Sequence, residues 1–597
     1  MIRSDSISVR IKLAVLVFVI SFIALAARLY HVQINRHDEL YSKAKNKYTA
    51  VKTDKGKRGE IYDYEGNLMV GNIPCSDIVA DPINIGEDKK CREICEIMAK
   101  KLNLNFNELY KKLSQKTRKV TRDGKKYTYP NRYALVESKV DLEIAEDIKK
   151  ELESKKLRGI TLQDSSKRYY PKNKLLANIL GFISVDRDNV IGVIGVEKFF
   201  NNKISATSAR VTFERARDGI PLTYSPEQEQ SAPDVKDGLN IYLTVREPIQ
   251  AIMEEELDNL MEKWKPKAAY AVMADPYTGN IIAVAQRPTY NPNDRATMMA
   301  EAWRNRITED IFEPGSTMKP FAVSGALDEG VVKPDTIFEC EKGRWYYAGK
   351  LLRDSHPYGM MSVSQIIQKS SNIGTAKIAI SMGEKRLHDT LRNFGFGKRT
   401  GVPLKPETRG IFRQLKKWDK LSITRFPIGQ GIAVSPLQLV RAYCILANGG
   451  KYINLRLVDR IENPDTGVVI KMPFEEGQKI FHNKETHNNI VQMMKLVTQE
   501  GGTAKEAAVK GYYSAGKTGT SQKFINGNYS ESNFFATFVG FIPADKPAFV
   551  LLVTADEPQR SHFGGTVAAP AFSKISEKTL RYLNVPTDYN YEEVAKK

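Results

Sequence analysis

A serine hydroxyl is a useful nucleophile only when a base takes its proton, and a lysine kept from water or crowded by other cations can lose its own proton near neutrality. The chain carries both groups in Phe312-Glu313-Pro314-Gly315-Ser316-Thr317-Met318-Lys319-Pro320-Phe321. Pro314-Gly315 reads as a turn and the next residues as a helix start, which puts Lys319 one turn beyond Ser316 on the same face. Pro320 falls in the first turn, where a missing amide hydrogen is tolerated. The spacing alone is weak, because Ser42 and Lys45 repeat it in a charged stretch with nothing around them. Two later groups supply company: Ser370-Ser371-Asn372, and Lys517-Thr518-Gly519-Thr520. Lys517 adds a positive charge and Thr518 and Thr520 add hydroxyls, while Gly519 is expected to let a substrate backbone lie close against a strand edge.

Two other chemistries fit less well. Cys340, Asp354 and His356 could form a zinc cluster, but three ligands without tight Cys/His spacing make a poor one. Asp354 and His356 could instead complete a triad with Ser316, yet Ser316 lacks the G-x-S-x-G elbow and Lys319 already supplies a base. The expectation is that Asp354 and His356 stabilise the loop leading to the helix that carries Ser370.

These residues need elements to hold them. At 597 residues, with 42% apolar and 27% charged positions, the chain exceeds one hydrophobic core and has ordinary globular composition. After Asp237-Gly238, LNIYLTV reads as a strand and EPIQAIMEEELDNLMEKW as a helix with Pro248 in its first turn. AAYAVMAD and NIIAVAQ read as strands around the turn at Asp275 to Gly279, FFATFVGFIP and AFVLLVTADE as another pair, and Pro570 to Leu583 as a helix. Strands at both ends of a largely helical segment predict one sheet built from distant parts and covered by helices. Residues 45 to 235 mix short alternating stretches with basic loops, and TRKVTRDGKKYTYPNR (117–132) is expected to be a solvated excursion. Five scattered cysteines make no disulfide framework, and Cys91 and Cys95 are expected to be buried thiols on one helical face.

Leu13 to Ala27 is an uncharged apolar run, extended to Leu29 and Tyr30, with Lys12 and Arg28 able to snorkel at its ends. Arg3, Arg10 and Lys12 precede it, so the positive-inside rule puts the first dozen residues in the cytoplasm and the body outside. A cleaved signal peptide is the alternative, since Ala24-Leu25-Ala26 has the small-x-small pattern. The anchor is favoured because the following residues read as a continuing helix.

At the three motifs the sequence resembles the penicillin-binding proteins and serine β-lactamases. The resemblance runs from about 237 to 590, through Phe394-Gly395-Phe396-Gly397, Gly429-Gln430-Gly431, Ser435-Pro436-Leu437-Gln438, Ala447-Asn448-Gly449-Gly450, Gly501-Gly502-Thr503-Ala504 and Gly564-Gly565. Upstream, Arg58-Gly59-Glu60-Ile61-Tyr62-Asp63, Arg168-Tyr169-Tyr170-Pro171 and Gly195-Val196-Glu197 are similar to the non-catalytic pedestal of class B, monofunctional members of the division and elongation (FtsI-like) type. Two positions depart from the pattern. Leu243-Thr244-Val245-Arg246 stands where Leu-Thr-Ile-Asp is usual, and Tyr64 stands where an Arg is common.

The resemblance implies an α/β (α+β) transpeptidase/serine β-lactamase-like fold: a central antiparallel sheet with helices on both sides plus a helical subdomain, preceded by a mixed α+β pedestal and one transmembrane helix. The implied layout is a cytoplasmic tail at 1–12, an anchor at 13–30, a pedestal or dimerisation domain at 31–236 and a transpeptidase domain at 237–590. It implies peptidoglycan D,D-transpeptidation in the cell membrane: Ser316 attacks the stem-peptide D-Ala carbonyl, Lys319 is the base, Ser370 relays a proton and Asn372 binds substrate. Lys517 with Thr518, Gly519 and Thr520 would bind the substrate strand and carboxylate, and β-lactams would acylate Ser316. No metal or organic cofactor is implied. A D,D-carboxypeptidase or β-lactamase-type hydrolase, and a non-enzymatic β-lactam sensor or divisome scaffold, are the alternatives. Lacking a glycosyltransferase segment, the chain is expected to work with a SEDS-family polymerase of the FtsW or RodA type and other divisome or elongasome membrane proteins. The net charge of +20 is then expected to face anionic lipid and wall polymers rather than nucleic acid.

Overall fold

The computed structural model describes residues 3–122, 125–186, 189–215, 221–223 and 235–589. They fall into two compact units, one made of residues up to 57 together with 206–237, the other of 58–205 and 238 onward. In the first unit, helix α1 (Arg3–Tyr30) runs on through a π turn (His31–Asn35) to α2 (His37–Tyr48). Its stretch Ile7–Asn35 is long and apolar enough to cross a membrane. Strands Thr49–Lys55, Ser208–Arg215 and Pro221–Thr223 form a small antiparallel sheet. Ser42 is exposed on α2 and donates its hydroxyl to the Glu39 carbonyl (2.9 Å).

The second unit begins with a sheet around the long strand β2 (Leu68–Ala80), which pairs with β1 (Ile61–Tyr62), and with β5 (Ala134–Asp141) and β6 (Ile160–Tyr169). Helices α3 (Asp88–Leu102), α4 (Phe106–Ser114) and α5 (Leu142–Ser154) cover it. Cys91, Ile94, Cys95 and Met98 recur at helical spacing on α3 and are buried against Ile78 and Ile148, so both thiols are core residues as their spacing predicted. All five cysteines are free. The solvated excursion expected at 117–132 carries regular structure where it is described: β3 (Thr117–Arg122) and β4 (Lys125–Pro130) form an antiparallel hairpin. Its alternation of cations with Val, Thr and Tyr suits a strand with two wet faces, a pattern that apolar periodicity does not register.

Three sequence motifs that lie far apart in the chain meet at one buried carboxylate. Glu197, fully buried, takes Arg58 (2.6 Å) on one oxygen and Arg168 (2.7 Å) on the other. Arg58 also reaches the Glu197 carbonyl, Asn201 and Ser205, and Arg168 reaches Asn72. Gly59 is required beside this cluster because a Cβ there would lie 2.0 Å from the Leu239 carbonyl oxygen.

The sheet does not stop at the presumed end of the pedestal. β7 (Asn240–Leu243) adds to β1 in parallel, and Val458–Glu462 and Val469–Lys471 extend it further. Asp63, at the end of the Arg58 motif, accepts the backbone N–H of Glu247 (3.0 Å) at the start of α6 (Glu247–Trp264). The two departures from the family pattern fall beside each other here. Arg246 lies over the Tyr64 ring, 4.8 Å from its centroid, and pairs with Glu65 at 3.1 Å, while Tyr582 donates to the same carboxylate. The Arg246 cation is thus held by a ring face and a neighbouring acid.

The catalytic part is a five-stranded antiparallel sheet in the order β9 (Ile281–Arg287), β8 (Ala268–Ala274), β12 (Phe549–Asp556), β11 (Asn528–Ile542), β10 (Ala515–Ile525). Strands from both ends of the segment thus pair, as predicted. Every residue of β8, β9 and β12 is buried, which accounts for their unbroken apolar runs. Helices α6 and α11 (Ala569–Tyr582) pack on each other and on the sheet, and α10 (Pro436–Ala447), buried along its whole length, lies between the sheet and the helical region that carries the site. The intervening helices α7 (Lys319–Asp328), α8 (Val363–Lys369) and α9 (Asn372–Met382) bear the serine motifs.

Arg246→Asp places a carboxylate beside Glu65 and is expected to cost about 1 kcal/mol, the scale of a partly exposed pair. Tyr64→Arg in the same chain gives the new carboxylate a cation and recovers the loss. Chemical denaturation of both variants and the double variant measures the coupling, and additive losses would refute it.

Candidate active site

Ser316 stands in a short 3₁₀ turn (Gly315–Met318) that leads into α7, half-buried. Tyr443, buried on α10, donates to the Thr317 carbonyl (3.0 Å), and the Gly315 amide donates to Gly429 (3.2 Å), so the turn is held from two sides. Glu313 just before it accepts from the Gly431 amide (2.8 Å) and from Tyr529 (3.0 Å), and burial raises its pKa. Sequence reasoning missed Glu313, Tyr443 and Tyr529, whose partners lie more than a hundred residues away.

Lys319 is fully buried. Its Nζ reaches the Ser370 carbonyl (2.5 Å), Ser370 Oγ (3.0 Å) and Asn372 Oδ1 (2.8 Å). Loss of hydration lowers its pKa to about 7, opposed by the charge of Asp354. Lys517, also fully buried, donates to the same Ser370 Oγ (2.9 Å). Burial, and then the nearby Lys319 charge, hold its pKa well below the ordinary lysine value. Two amines therefore converge on one hydroxyl oxygen.

Ser370 sits between α8 and α9 in the left-handed region (φ 62°, ψ 41°), where a non-glycine residue costs about 1–3 kcal/mol. Asp354 holds it there. One oxygen accepts the backbone N–H of Asn372 (2.5 Å) and of Ile373 (3.1 Å), and the other accepts Ser371 Oγ (2.6 Å). Ser371 in turn caps α9 through the Gly374 amide (2.9 Å). Charge-assisted hydrogen bonds are each worth about 1.5–3 kcal/mol, so three of them outweigh the backbone strain. The expected loop-stabilising role of Asp354 is thus more direct: it fixes the backbone of the serine motif. His356 is exposed with its ring against Tyr358, while Cys340 is buried against Ser371. Among the described residues no cluster of three His, Cys, Asp or Glu side chains could hold a metal ion.

The outer strand β10 completes the site. Thr518 shares a hydrogen bond with Thr503 (3.1 Å), and Thr520 Oγ1 accepts the Gly564 amide (3.2 Å), which explains the nearby Gly501-Gly502-Thr503 and Gly564-Gly565 motifs. Gly519 is also required within the fold. A Cβ there would lie 2.9 Å from the Pro314 carbonyl oxygen and from Thr317, so the glycine lets the strand press against the turn that carries Ser316. The close approach is to the protein's own backbone.

Comparison with known proteins decides the lineage. Residues 269–577 match the penicillin-binding protein transpeptidase domain, and residues 53–243 match the penicillin-binding protein dimerisation domain. The chain belongs to the penicillin-binding protein transpeptidases. Among the relatives of this penicillin-binding protein, peptidoglycan D,D-transpeptidase FtsI of Escherichia coli K12 is 31% identical over 94% of this chain and 90% of that protein. Stage V sporulation protein D of Bacillus subtilis is 30% identical over 98% and 87%. The crystal structure of penicillin-binding protein 2X from Streptococcus thermophilus shares the fold, with a TM-score of 0.73 at 23% identity over 89% of this chain and 80% of that one.

Asp354→Asn replaces an acceptor by an amide that cannot accept all three donors. Acylation of this penicillin-binding protein by a fluorescent penicillin is expected to slow by about 10–100-fold, about 1.4–2.7 kcal/mol of barrier. An unchanged rate would remove Asp354 from the positioning of the serine motif.

Proposed function

We propose that this chain cross-links peptidoglycan stem peptides by D,D-transpeptidation, with the roles distributed as follows. Ser316 Oγ bonds to the carbonyl carbon of the penultimate D-Ala, the peptide C–N bond breaks, and the terminal D-Ala leaves as its amine takes a proton. Lys319 receives the Ser316 proton and Ser370 passes it to the leaving nitrogen. The amine of a neighbouring stem peptide then attacks the acyl carbon, forms the cross-link and releases Ser316. The observation that carries this reading is the buried Lys319, neutral above about 7, among Ser370, Asn372 and Lys517.

Each buried amine faces three oxygens, and the proposed roles can be written in hydrogen bonds. A neutral Lys319 has two N–H groups for the Ser370 carbonyl and Asn372 Oδ1, leaving its lone pair for a hydroxyl proton. Lys517 faces three acceptors, Ser370 Oγ, the Thr518 carbonyl and Thr518 Oγ1, which suit the three N–H groups of an ammonium. With Thr518 and Thr520 beside it, Lys517 is assigned the substrate carboxylate, whose negative charge favours the ammonium form against the burial that lowers its pKa. Gly519 presses β10 onto the serine turn, supporting the backbone amides of Ser316 and Thr520 as an oxyanion hole worth about 3 kcal/mol per donor. β10 is also the outer strand of its sheet, with an edge to receive an extended peptide.

The rest of the layout follows the same reading. The first dozen residues face the cytoplasm, the anchor spans once, 31–236 forms the pedestal and 237–590 the catalytic domain, with β-lactams trapped on Ser316. A SEDS-family polymerase supplies glycan strands through the anchor and pedestal; failure to co-purify in mild detergent would count against that partner.

Ser316→Ala is expected to abolish penicillin labelling while leaving the protein folded; growth unaffected by it, in cells without a redundant enzyme, would favour a sensor or scaffold. The penicillin adduct should outlast minutes, whereas rapid turnover would reveal a hydrolase. Lys319→Arg, which cannot lose its proton, should remove acylation. Because Lys319 is protonated below about 7 and neutral above it, the acylation rate should rise about tenfold per pH unit up to about 7 and level off beyond. A flat profile between pH 5.5 and 8.5 would refute it as the base.

A further inference from the structure

The hairpin β3–β4 belongs to none of this machinery. Its ladder runs from Thr117 opposite Pro130 to Arg122 opposite Lys125. Its root is fixed by buried Asn131, whose backbone N–H and side-chain amide donate to the Lys116 (2.9 Å) and Gln115 (2.8 Å) carbonyls. Beyond that root no other described strand pairs with it. An isolated two-stranded hairpin is marginally stable in water. This one also carries six basic residues and one acidic residue across 117–132. Arg118, Lys119 and Lys126 are exposed and form no ion pair among the described residues. Such a concentration of like charge opposes the fold unless it meets an anion.

The arrangement says what kind of anion. Tyr127 and Tyr129 alternate onto one face, with ring centroids 6.3 Å apart, and Arg118 stands directly opposite Tyr129 on that face. Both rings are exposed. Apart from Val120 the hairpin has no aliphatic side chain to enter an acyl layer. Two exposed rings with Arg118 beside them on one face, and Lys119 and Lys126 on the reverse face of the same narrow hairpin, suit an extended glycan that bears acidic stem peptides: sugar faces lie on the rings while the peptide carboxylates meet the bases. We propose that the β3–β4 hairpin is a docking site for uncross-linked peptidoglycan strands, outside the catalytic site. The identity of the glycan rests on the proposed function.

The test uses the full chain in nanodiscs of neutral lipid, titrated with fluorescent, soluble, uncross-linked peptidoglycan strands. Arg118→Glu with Lys119→Glu and Lys126→Glu should weaken binding at least tenfold, Tyr127→Ala with Tyr129→Ala at least threefold, and rising salt should weaken the wild type. Both variants should keep the wild-type rate of penicillin acylation. If the charge-reversal variant loses acylation as well, Lys119→Gln with Lys126→Gln is read in its place and should weaken binding at least threefold. Equal binding by wild type and acylation-competent variants overturns the proposal. So does hairpin-dependent binding of phosphatidylglycerol vesicles without binding of strands, which would make the surface a lipid contact. If penicillin fails to acylate the wild type, the transpeptidase reading falls, while strand binding still reports on the hairpin.

Discussion

Two lysine amines buried around one serine hydroxyl are the constraint to which the catalytic half is built. Removing an ammonium from water costs several kcal/mol even after relaxation, and a second one beside it adds repulsion. The fold offsets this with oxygen: Ser370 Oγ between the amines, and the Ser370 carbonyl and Asn372 Oδ1 on Lys319. That geometry needs Ser370 in a strained backbone conformation, which needs Asp354, which directly follows the strand Lys350–Arg353. The same desolvation that makes the site expensive brings the Lys319 pKa down to about 7.

The non-catalytic half is organised by an opposite balance. A single carboxylate, Glu197, neutralises two buried guanidiniums and gathers three chain segments. Removing it would leave both cations buried and unpaired, a loss of about 3–5 kcal/mol by analogy with other broken buried pairs. Because β1 of this half pairs with β7, and Asp63 caps α6, its order passes directly into the catalytic segment through hydrogen bonds.

Much of this was legible before any coordinates. The helix at Glu247–Trp264 and the strand pairs at the two ends of the catalytic segment follow from periodicity, Pro248 and turn residues. The three motifs were legible as a set because rare residue types recur in order. What was hidden has a common cause. Glu313, Tyr443 and Tyr529 act through partners distant in sequence, and a lone acidic or aromatic residue carries no mark of its partner. Gly519 was legible as a close approach but not as one to Pro314. The hairpin β3–β4 hid its strands because a two-faced polar ladder has no apolar rhythm.

The meeting of Tyr64 and Arg246 has a consequence for inheritance. Were a segment of a relative exchanged into this chain, a crossover between these two codons would part Tyr64 from Arg246. An incoming Asp at 246 would face Glu65 and a tyrosine that offers it no cation, while an incoming Arg at 64 would meet Arg246. The two positions are therefore expected to travel together, and mosaic descendants of this chain should have their breakpoints before the first or after the second.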